Sequence, residues 1–537
     1  MKRLFILLSL VAIFLPATAS TYIRPEQQGN YFLFPVQENA PEIVVRVVYE
    51  TKEIERFVLR LALTNIDYYV PYDIHNCDVH NLTFIVNGES KLLQNKVVDD
   101  FDTGNTERFR PDYHHTPAYG WMNDPNGMFY DEITKTWHLY YQYNPYGSKW
   151  QNMTWGHSTS KDLIHWEHQP NAIRPDGLGA IFSGSCIVDH NNTAGFGRDA
   201  IIAMYTSASE QQTQSIAYST DGGYSFTPYV GNPVLTADVP DFRDPKLFWC
   251  EKTGEWNVAI SAGQEVRFYA SRNLKDWHYL SSFGKGYGAH GGVWECPDLI
   301  ELPVRGTKET KWVLLLNINP GGPYGGSATQ YFVGDWDGQT FTCEHREPRW
   351  MDYGKDHYAA VTFANAPDNR HVAIAWMSNW QYANDVPTQQ YRSANSLPKD
   401  IDLYIDAHNQ YRMGVRPAKE VQHLAQRVTL VPDAKTGKAV LELTSDAGDL
   451  VTLTYDMKHE TLEFDRSQCG DATFSKDFPV KTLRMPIFTR KGDNAAKLSL
   501  DVFIDNCSIE FFDAEGRFCL TNLVFPHSTL TIQNKKK

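Results

Sequence analysis

Four stretches of this chain close in the same way, and that recurrence limits its fold more than any other feature. Ser160-Lys161-Asp162-Leu163 runs on to Trp166, and Ser219-Thr220-Asp221-Gly222-Gly223 to Phe226. Ser271-Arg272-Asn273-Leu274-Lys275-Asp276 leads into Trp277, and Gly334-Asp335-Trp336-Asp337-Gly338 to Phe341. Each reads as a strand end, a polar turn and an aromatic that opens the next strand. The closing aromatics stand 60, 51 and 64 residues apart. Further strand-length runs precede them, such as Ile201-Ile202-Ala203-Met204-Tyr205 and Trp312-Val313-Leu314-Leu315-Leu316. A fifth unit runs from Asp356 through His371-Val372-Ala373-Ile374-Ala375-Trp376 towards Leu397. About four short strands per unit, without helical periodicity, predict an all-β chain with a five-bladed β-propeller at 106–400. Two β-sandwiches are the competing architecture, but a sandwich does not require recurrent closing hairpins.

The flanks carry β signals of their own. Residues 21–104 read as a small sandwich-like β domain, with apolar runs at 43–49, 57–63 and 82–86, the last meeting the hairpin signal Asn87-Gly88. Asp99, Asp100, Asp102, Gly104 and Asn105 mark a linker. Residues 401–424 are expected to join the propeller to a C-terminal β-sandwich at 425–537, with a short helix near 418–427. At the start, Lys2-Arg3, an apolar run and Ala17-Thr18-Ala19 have the order of a signal peptide ending at residue 19. No other stretch approaches membrane-spanning length. A soluble exported protein, periplasmic or extracellular, is the expectation.

Charge and cysteine usage exclude several partner classes. Fifty Lys and Arg against 64 Asp and Glu give a net charge of −14, with no basic stripe beyond Lys535-Lys536-Lys537. A nucleic acid is therefore not an expected partner. Eight Cys in 537 residues are too sparse for a disulfide framework, and none forms a Cys-x-x-Cys pair. Cys507 and Cys519 could face each other across a hairpin, although two buried thiols fit their surroundings better. Aromatics make up 13% of the chain, which suits both a β-rich core and sugar-stacking surfaces.

Each repeat also opens with a short motif: Asn123-Asp124-Pro125, Phe182-Ser183-Gly184-Ser185, Phe242-Arg243-Asp244-Pro245, Trp294-Glu295-Cys296-Pro297-Asp298 and Asp356-His357-Tyr358. Asp124 and Ser183 lie 42 and 43 residues before their closing aromatics; Asp244 and Glu295 lie 33 and 46 before theirs. These are comparable places in successive blades, on the strand that lines the propeller axis. Taken singly, Asp244-Pro245 is a strand-start turn, Arg243 a neutralising neighbour and Glu295 a buried acid. Converging on one axis, Asp124, Asp244 and Glu295 share a funnel. Three carboxylates with Arg243 and no His/Cys cluster suit a glycosidase better than a metal hydrolase. No metal, cofactor or protein partner is implied.

Taken in order, Trp121-Met122-Asn123-Asp124-Pro125-Asn126-Gly127, Tyr141-Gln142-Tyr143-Asn144-Pro145, Trp155-Gly156-His157, Phe-Ser-Gly-Ser, Phe-Arg-Asp-Pro and Trp-Glu-Cys-Pro-Asp strongly resemble family 32 of the glycoside hydrolases, which contains invertases, inulinases and levanases. Trp376-Met377-Ser378-Asn379-Trp380-Gln381-Tyr382-Ala383 and Tyr391-Arg392-Ser393 resemble its fructan-degrading members. The match runs from about His115 to the C-terminus and includes Asp465-Arg466-Ser467; residues 21–104 lie outside it. The resemblance implies a five-bladed propeller plus a β-sandwich. It implies Asp124 as nucleophile, Glu295 as general acid/base and Asp244 as transition-state stabiliser. It places Asn123, Gln142, Trp150, Phe182, Ser183 and Arg243 around a terminal fructose, and more loosely Asp356 and Trp376. The implied reaction is release of fructose from inulin, levan or sucrose by double displacement. A fructosyltransferase, an endo-acting fructanase, an inverting furanosidase and a non-catalytic fructan-binding protein remain the alternatives.

Overall fold

The recurrent polar turns owe their shape to one side chain each. In a computed structural model of the chain, Asp162 Oδ1 accepts the backbone N–H groups of Ile164 and His165 at 3.0 and 2.8 Å. Asp221 does the same for Tyr224 and Ser225 at 3.1 Å, and Asn273 for Lys275 and Asp276 at 3.0 and 2.9 Å. Asp337 holds Gln339 and Thr340 at 2.8 and 2.7 Å. A short carboxylate or amide thereby replaces backbone partners in a tight turn, which is why these positions are Asp or Asn. Each turn joins the third strand of a sheet to its fourth.

The structure describes residues 20–87, 93, 94, 96–104, 106–480, 483–490, 493 and 497–533. The segment read as a signal peptide, Gly88 of the hairpin signal and the terminal lysines lie outside them. Among the described residues, no helix is long and apolar enough to cross a membrane.

Five antiparallel sheets follow one another along the chain, each built in sequence order from the axis outward. Their first strands are Gly120–Asp131, Ala180–Asp189, Phe242–Cys250, Val293–Pro303 and Tyr358–Thr362. Each packs against the first strand of the next sheet, and the fifth packs against the first, so the ring closes. This is the propeller arrangement with these sheets as blades. A later segment, Tyr391–Arg392, adds to the first sheet by pairing in parallel with Gly120 and Trp121.

The fifth sheet corrects the expected linker at 401–424. Its outer strands are Lys399–Ile405 and Tyr411–Pro417, paired from Lys399↔Pro417 to Ile405↔Tyr411. Between them Asp406 Oδ1 accepts from the backbone of His408 and Gln410 at 2.8 and 2.9 Å, so the closing turn of the other sheets recurs here. The short helix expected near 418–427 is only a single turn at Gln422–Leu424. Strand pairing prevails after it, because Gln426–Leu430 joins Leu498–Asp505 and buries Leu430.

Beyond the propeller, two antiparallel sheets face each other. One is ordered Gln426–Leu430, Leu498–Asp505, Ser508–Asp513, Cys519–Leu523; the other contains Leu483–Pro486, Thr461–Gln468, Leu450–Asp456, Lys438–Thr444 and Thr531–Ile532. Leu443, Val451, Leu453, Phe464, Leu500 and Phe511 fill the space between them, as in a β-sandwich. All eight cysteines are free thiols; Cys507 and Cys519 are both buried.

The residues through Asp102 form a separate compact unit. It has a four-stranded sheet (Ser20–Ile23, Leu82–Asn87, Ile43–Tyr49, Lys52–Leu59) and a three-stranded one (Tyr68–Asp73, Tyr31–Val36, Val97–Val98). Alternation puts Val45, Val47, Phe84 and Phe57 on one face. There, Phe32, Phe34 and Phe84 pack with ring centroids 4.7–5.2 Å apart.

Candidate active site

All five inner strands break register at the same level. The shift falls between Met122 and Pro125, Ile181 and Gly184, Arg243 and Lys246, Glu295 and Asp298, and Tyr358 and Val361. In each case two residues oppose one on the second strand, which is a β-bulge. The bulged pairs are Asn123-Asp124, Phe182-Ser183, Asp244-Pro245, Cys296-Pro297 and Ala359-Ala360. In the last three sheets the first bulged residue has a positive φ: 65° at Asp244, 45° at Cys296 and 54° at Ala359. For residues with a Cβ this is strained backbone, held by the ring around it. A bulge re-aims side chains and ends regular pairing, and here five of them point chemistry at one end of the axis.

The residues just before three of the bulges form one hydrogen-bonded row. Arg243 donates from Nε and Nη2 to Glu295 Oε1 at 3.2 and 2.9 Å. Tyr358 donates its hydroxyl to Glu295 Oε2. The guanidinium is steadied from behind by Asp241 Oδ1 at 2.7 Å and Gln212 Oε1 at 3.3 Å. Asp244 lies on the next level, with Oδ2 4.0 Å from Arg243 Nε and accepting from the Cys296 backbone at 2.9 Å.

Asp124 is held from three sides. Ser183 Oγ donates to Oδ2 at 2.8 Å and Asn123 Nδ2 to Oδ1 at 3.0 Å. Cys296 Sγ lies 3.6 Å from both Asp124 Oδ2 and Asp244 Oδ2, linking the two carboxylates. Asn123 is fixed in turn by Trp121 Nε1, 2.8 Å from its Oδ1. Burial raises the Asp124 carboxyl above its ordinary value, and the Glu295 charge adds to that; the Asn123 and Ser183 hydrogen bonds oppose it. Asp244 is raised to about 7, by burial first and then by Glu295 and Asp124, with Arg243 pulling the other way. Burial and three adjacent carboxylates keep the Cys296 thiol protonated.

Gln142 and Thr206 are the single residues opposite the first two bulges. Gln142 donates to the Ile181 carbonyl at 3.0 Å, and Thr206 Oγ1 accepts the Asp244 N–H at 3.0 Å. Phe182 is half-buried and meets the exposed Trp150 edge to face at 6.1 Å. Below the carboxylates the axis narrows to a cavity of about 20 Å³ bordered by Asn126, Ser185, Lys246 and Thr362, space for a water molecule but not a sugar ring. Among the described residues no group of three His, Cys, Asp or Glu is arranged to hold a metal ion.

Two expected sugar-binding residues are placed differently. Asp356 has no exposed surface: its carboxylate accepts from Arg466, Tyr382 and the Leu523 backbone, so it ties the entry of the fifth blade to the sandwich. A buried carboxylate needs such a partner, and Arg466 supplies one from 110 residues away. Trp376 is fully buried too, packed 4.8 Å from Trp380 and 5.9 Å from Trp121. It supports Trp121, hence Asn123, from behind. Conversely, Tyr358, Cys296, Asp241 and Thr206 entered the site without having been singled out. Lining up Arg243-Asp244-Pro245, Glu295-Cys296-Pro297 and Tyr358-Ala359-Ala360 would have found the first two.

The profile of the glycosyl hydrolases family 32 N-terminal domain matches residues 114–417, and that of the family 32 C terminal matches residues 389–536. The chain belongs to glycoside hydrolase family 32. It is a glycoside hydrolase with an N-terminal catalytic domain and a C-terminal β-sandwich of that family's architecture. Levanase of Bacillus subtilis is 42% identical over 463 residues, covering 78% of this chain and 67% of that one. Extracellular exo-inulinase of Aspergillus niger is 36% identical over 488 residues, covering 78% and 90%. The solved exo-inulinase of Aspergillus awamori aligns with a TM-score of 0.72 at 34% identity, over 80% of this chain and 95% of that one. Residues 18–113 match a domain of unknown function (DUF4980).

Proposed function

We propose that this enzyme removes terminal fructose from inulin or levan, and from sucrose, with retention of configuration through a covalent fructosyl-enzyme. The single observation that carries the reading is the set of equivalent bulges that gather Asp124, Asp244, Glu295 and Arg243 at one end of the axis. Similarity to a levanase and to exo-inulinases supports the choice of β-fructans. In the first step Asp124 attacks the anomeric carbon while Glu295 gives its proton to the leaving oxygen, so one C–O bond forms as another breaks. In the second, Glu295 takes a proton from water, the hydroxide attacks the same carbon, and Asp124 leaves. Asp244 and Arg243 grip ring hydroxyls as positive charge develops. Asn123 and Ser183 keep the Asp124 carboxylate aimed at the ring, and Gln142 holds the wall beside it.

The narrow axis favours action from the chain end. A ring resting on Asp124 has no exit below, and Trp150 with Phe182 closes one side. The amino-terminal segment directs export to the periplasm or the medium. Chromatography of early inulin and levan digests tests the reading, with fructose as the sole product expected. A ladder of oligosaccharides would replace exo with endo action, and longer oligosaccharides from concentrated sucrose would replace hydrolysis with transfer. Proton NMR of the first-released sugar should show the β-anomer; the α-anomer would overturn retention.

A further inference from the structure

A second opening lies away from the funnel, where the outer edges of the fourth and fifth sheets meet. It is a cleft of about 490 Å³, within the range of about 300–1,000 Å³ typical of small-molecule sites. Lys311 on its wall pairs with Leu302, seven residues along the inner strand from Glu295. At about 3.3 Å per residue the cleft stands roughly 20 Å from the acid/base, towards the opposite end of the blade.

The lining has the chemistry of a neutral polyol site. Among the lining side chains Lys311 and Arg349 are matched by Asp335 and Glu344, and Glu309 at the edge is taken up by Tyr411 and Lys311, so the cleft offers no excess of cations for an anionic ligand. Much of the framework is fixed: Lys311 Nζ lies 3.2 Å from Asp335 Oδ1, and Arg349 donates to the Tyr411 carbonyl. The Tyr411 hydroxyl donates to Glu309 at 2.7 Å and Lys311 lies 5.5 Å from the ring centre, so the ring is held in place. Among the described residues, the exposed side chains of Glu344 and Asn409 have no hydrogen-bond partner. A rigid aromatic with unspent amide and carboxylate groups is how proteins hold sugars: ring C–H faces meet the aromatic, and hydroxyls meet planar polar groups.

We propose that this cleft is a non-catalytic saccharide site that holds a distant part of the same fructan chain whose end enters the funnel. The proposal rests on the fructan reading above. Tethering a polymer at a second point raises its effective concentration at the first, whereas sucrose is too short to gain. The full-length chain with Asp124→Asn, which blocks turnover, is run in native gels containing inulin or levan. Retardation should fall about tenfold on adding Tyr411→Ala, and also on adding Glu344→Ala, an exposed change that leaves the fold intact. In the active enzyme each single change should raise KM for the polymers and leave sucrose turnover unaltered. Unchanged retardation in both variants, equal retardation by dextran, or a matching loss of sucrose turnover would overturn the cleft site. If the parent enzyme hydrolyses neither fructan nor sucrose, it is the activity assignment that fails instead.

Discussion

Glu295 stands between two donors from neighbouring sheets, Arg243 on one oxygen and Tyr358 on the other. An acid/base that must change charge twice per cycle is thereby kept in one orientation. Asp124→Asn and Glu295→Gln should fold normally and lose about 10²–10⁴-fold in turnover. A substrate with a good leaving group should restore the first step in Glu295→Gln and not in Asp124→Asn; equal rescue would refute the roles. Tyr358→Phe should lower kcat about 10- to 100-fold, the worth of a hydrogen bond to a charged group, with KM for sucrose little changed. The pH profile carries a separate test. Asp124 is raised above its ordinary value, partly by the Glu295 charge, and it must be ionised to attack. Activity should therefore fail on the acid side at a higher pH than a free carboxylate would set, about 4. Removing that charge in Glu295→Gln, assayed with the activated substrate, should shift the limb to lower pH. A limb that stays put would mean Asp124 does not set it. At this scale the convergence of the three carboxylates was legible, because each sits in a distinctive motif. Tyr358 was not, since a tyrosine beside two alanines announces no chemistry. The burial of Asp356 against Arg466 was not legible, because a motif shows that a carboxylate is special without showing that its partner is an arginine in another domain.

The repeating element is a four-stranded sheet with a bulge on its inner strand and an Asx turn at its outer edge. The outer turn was legible, because Asp or Asn followed by small polar residues and an aromatic recurs in the chain. In the fifth sheet the same device, Asp406 to Tyr411, follows a long excursion after Met377 and was passed over as linker. The bulges were invisible to periodicity, since one extra residue per strand looks like ordinary irregular alternation. Their strain makes an element-level prediction. Ala359 is fully buried at φ 54°, where a β-branched residue is disfavoured both by backbone and by space. Ala359→Val should lower stability by about 2–4 kcal/mol, whereas Ala359→Gly should be near neutral, because glycine accepts that φ. Urea denaturation of both decides it; equal losses would show that packing alone, not backbone, governs the bulge.

Across the whole molecule, a buried charge network binds propeller to sandwich. Lys399 of the fifth sheet reaches Glu510 at 2.8 Å and lies 4.0 Å from Asp352. His114, just ahead of the propeller, bonds Asp505 at 2.7 Å and Glu510 at 3.0 Å. Burial opposes charge on His114, yet these two carboxylates outweigh it and raise the imidazole to about 9. A raised histidine stabilises fully below its unfolded value of about 6.5, and that stability is lost as pH climbs through 9. Asp505, Glu510 and Asp352 are lowered despite their burial, by the cations and hydrogen bonds around them. Their contribution is present above ordinary carboxylate values and is lost as pH falls through the folded ones. The network's share of the thermal midpoint, read as the difference between the parent and His114→Gln, should therefore be level between about pH 4.5 and 6.5 and shrink above that as the imidazole loses its proton; a difference still growing from pH 6.5 to 9 would contradict this. Lys399→Met leaves Glu510 and Asp352 without their ammonium and should cost about 3–5 kcal/mol, read by chemical denaturation. The three-part layout was legible from strand runs and spacing. This network was not, because its hydrogen bonds join residues 111 or more apart, as in Lys399 with Glu510 and His114 with Asp505, and none belongs to a motif.

The ring of blades is sealed by Tyr391–Arg392 lying alongside Gly120 and Trp121, three residues from the nucleophile. A ribosome makes residue 124 long before residue 391, so a growing chain carries Asp124 through 267 further residues (391 − 124) with one neighbour missing. The fifth inner strand, which flanks the first on its other side, also arrives late, and its lead-in waits longer still: Tyr353 and Asp356 donate their backbone N–H groups to Cys519 and Thr521 at 3.0 and 3.2 Å. The earliest part of the site to be translated thus has flanks whose partners come late in the chain. The full set of contacts around the centre exists only once residues as late as Thr521 have been made.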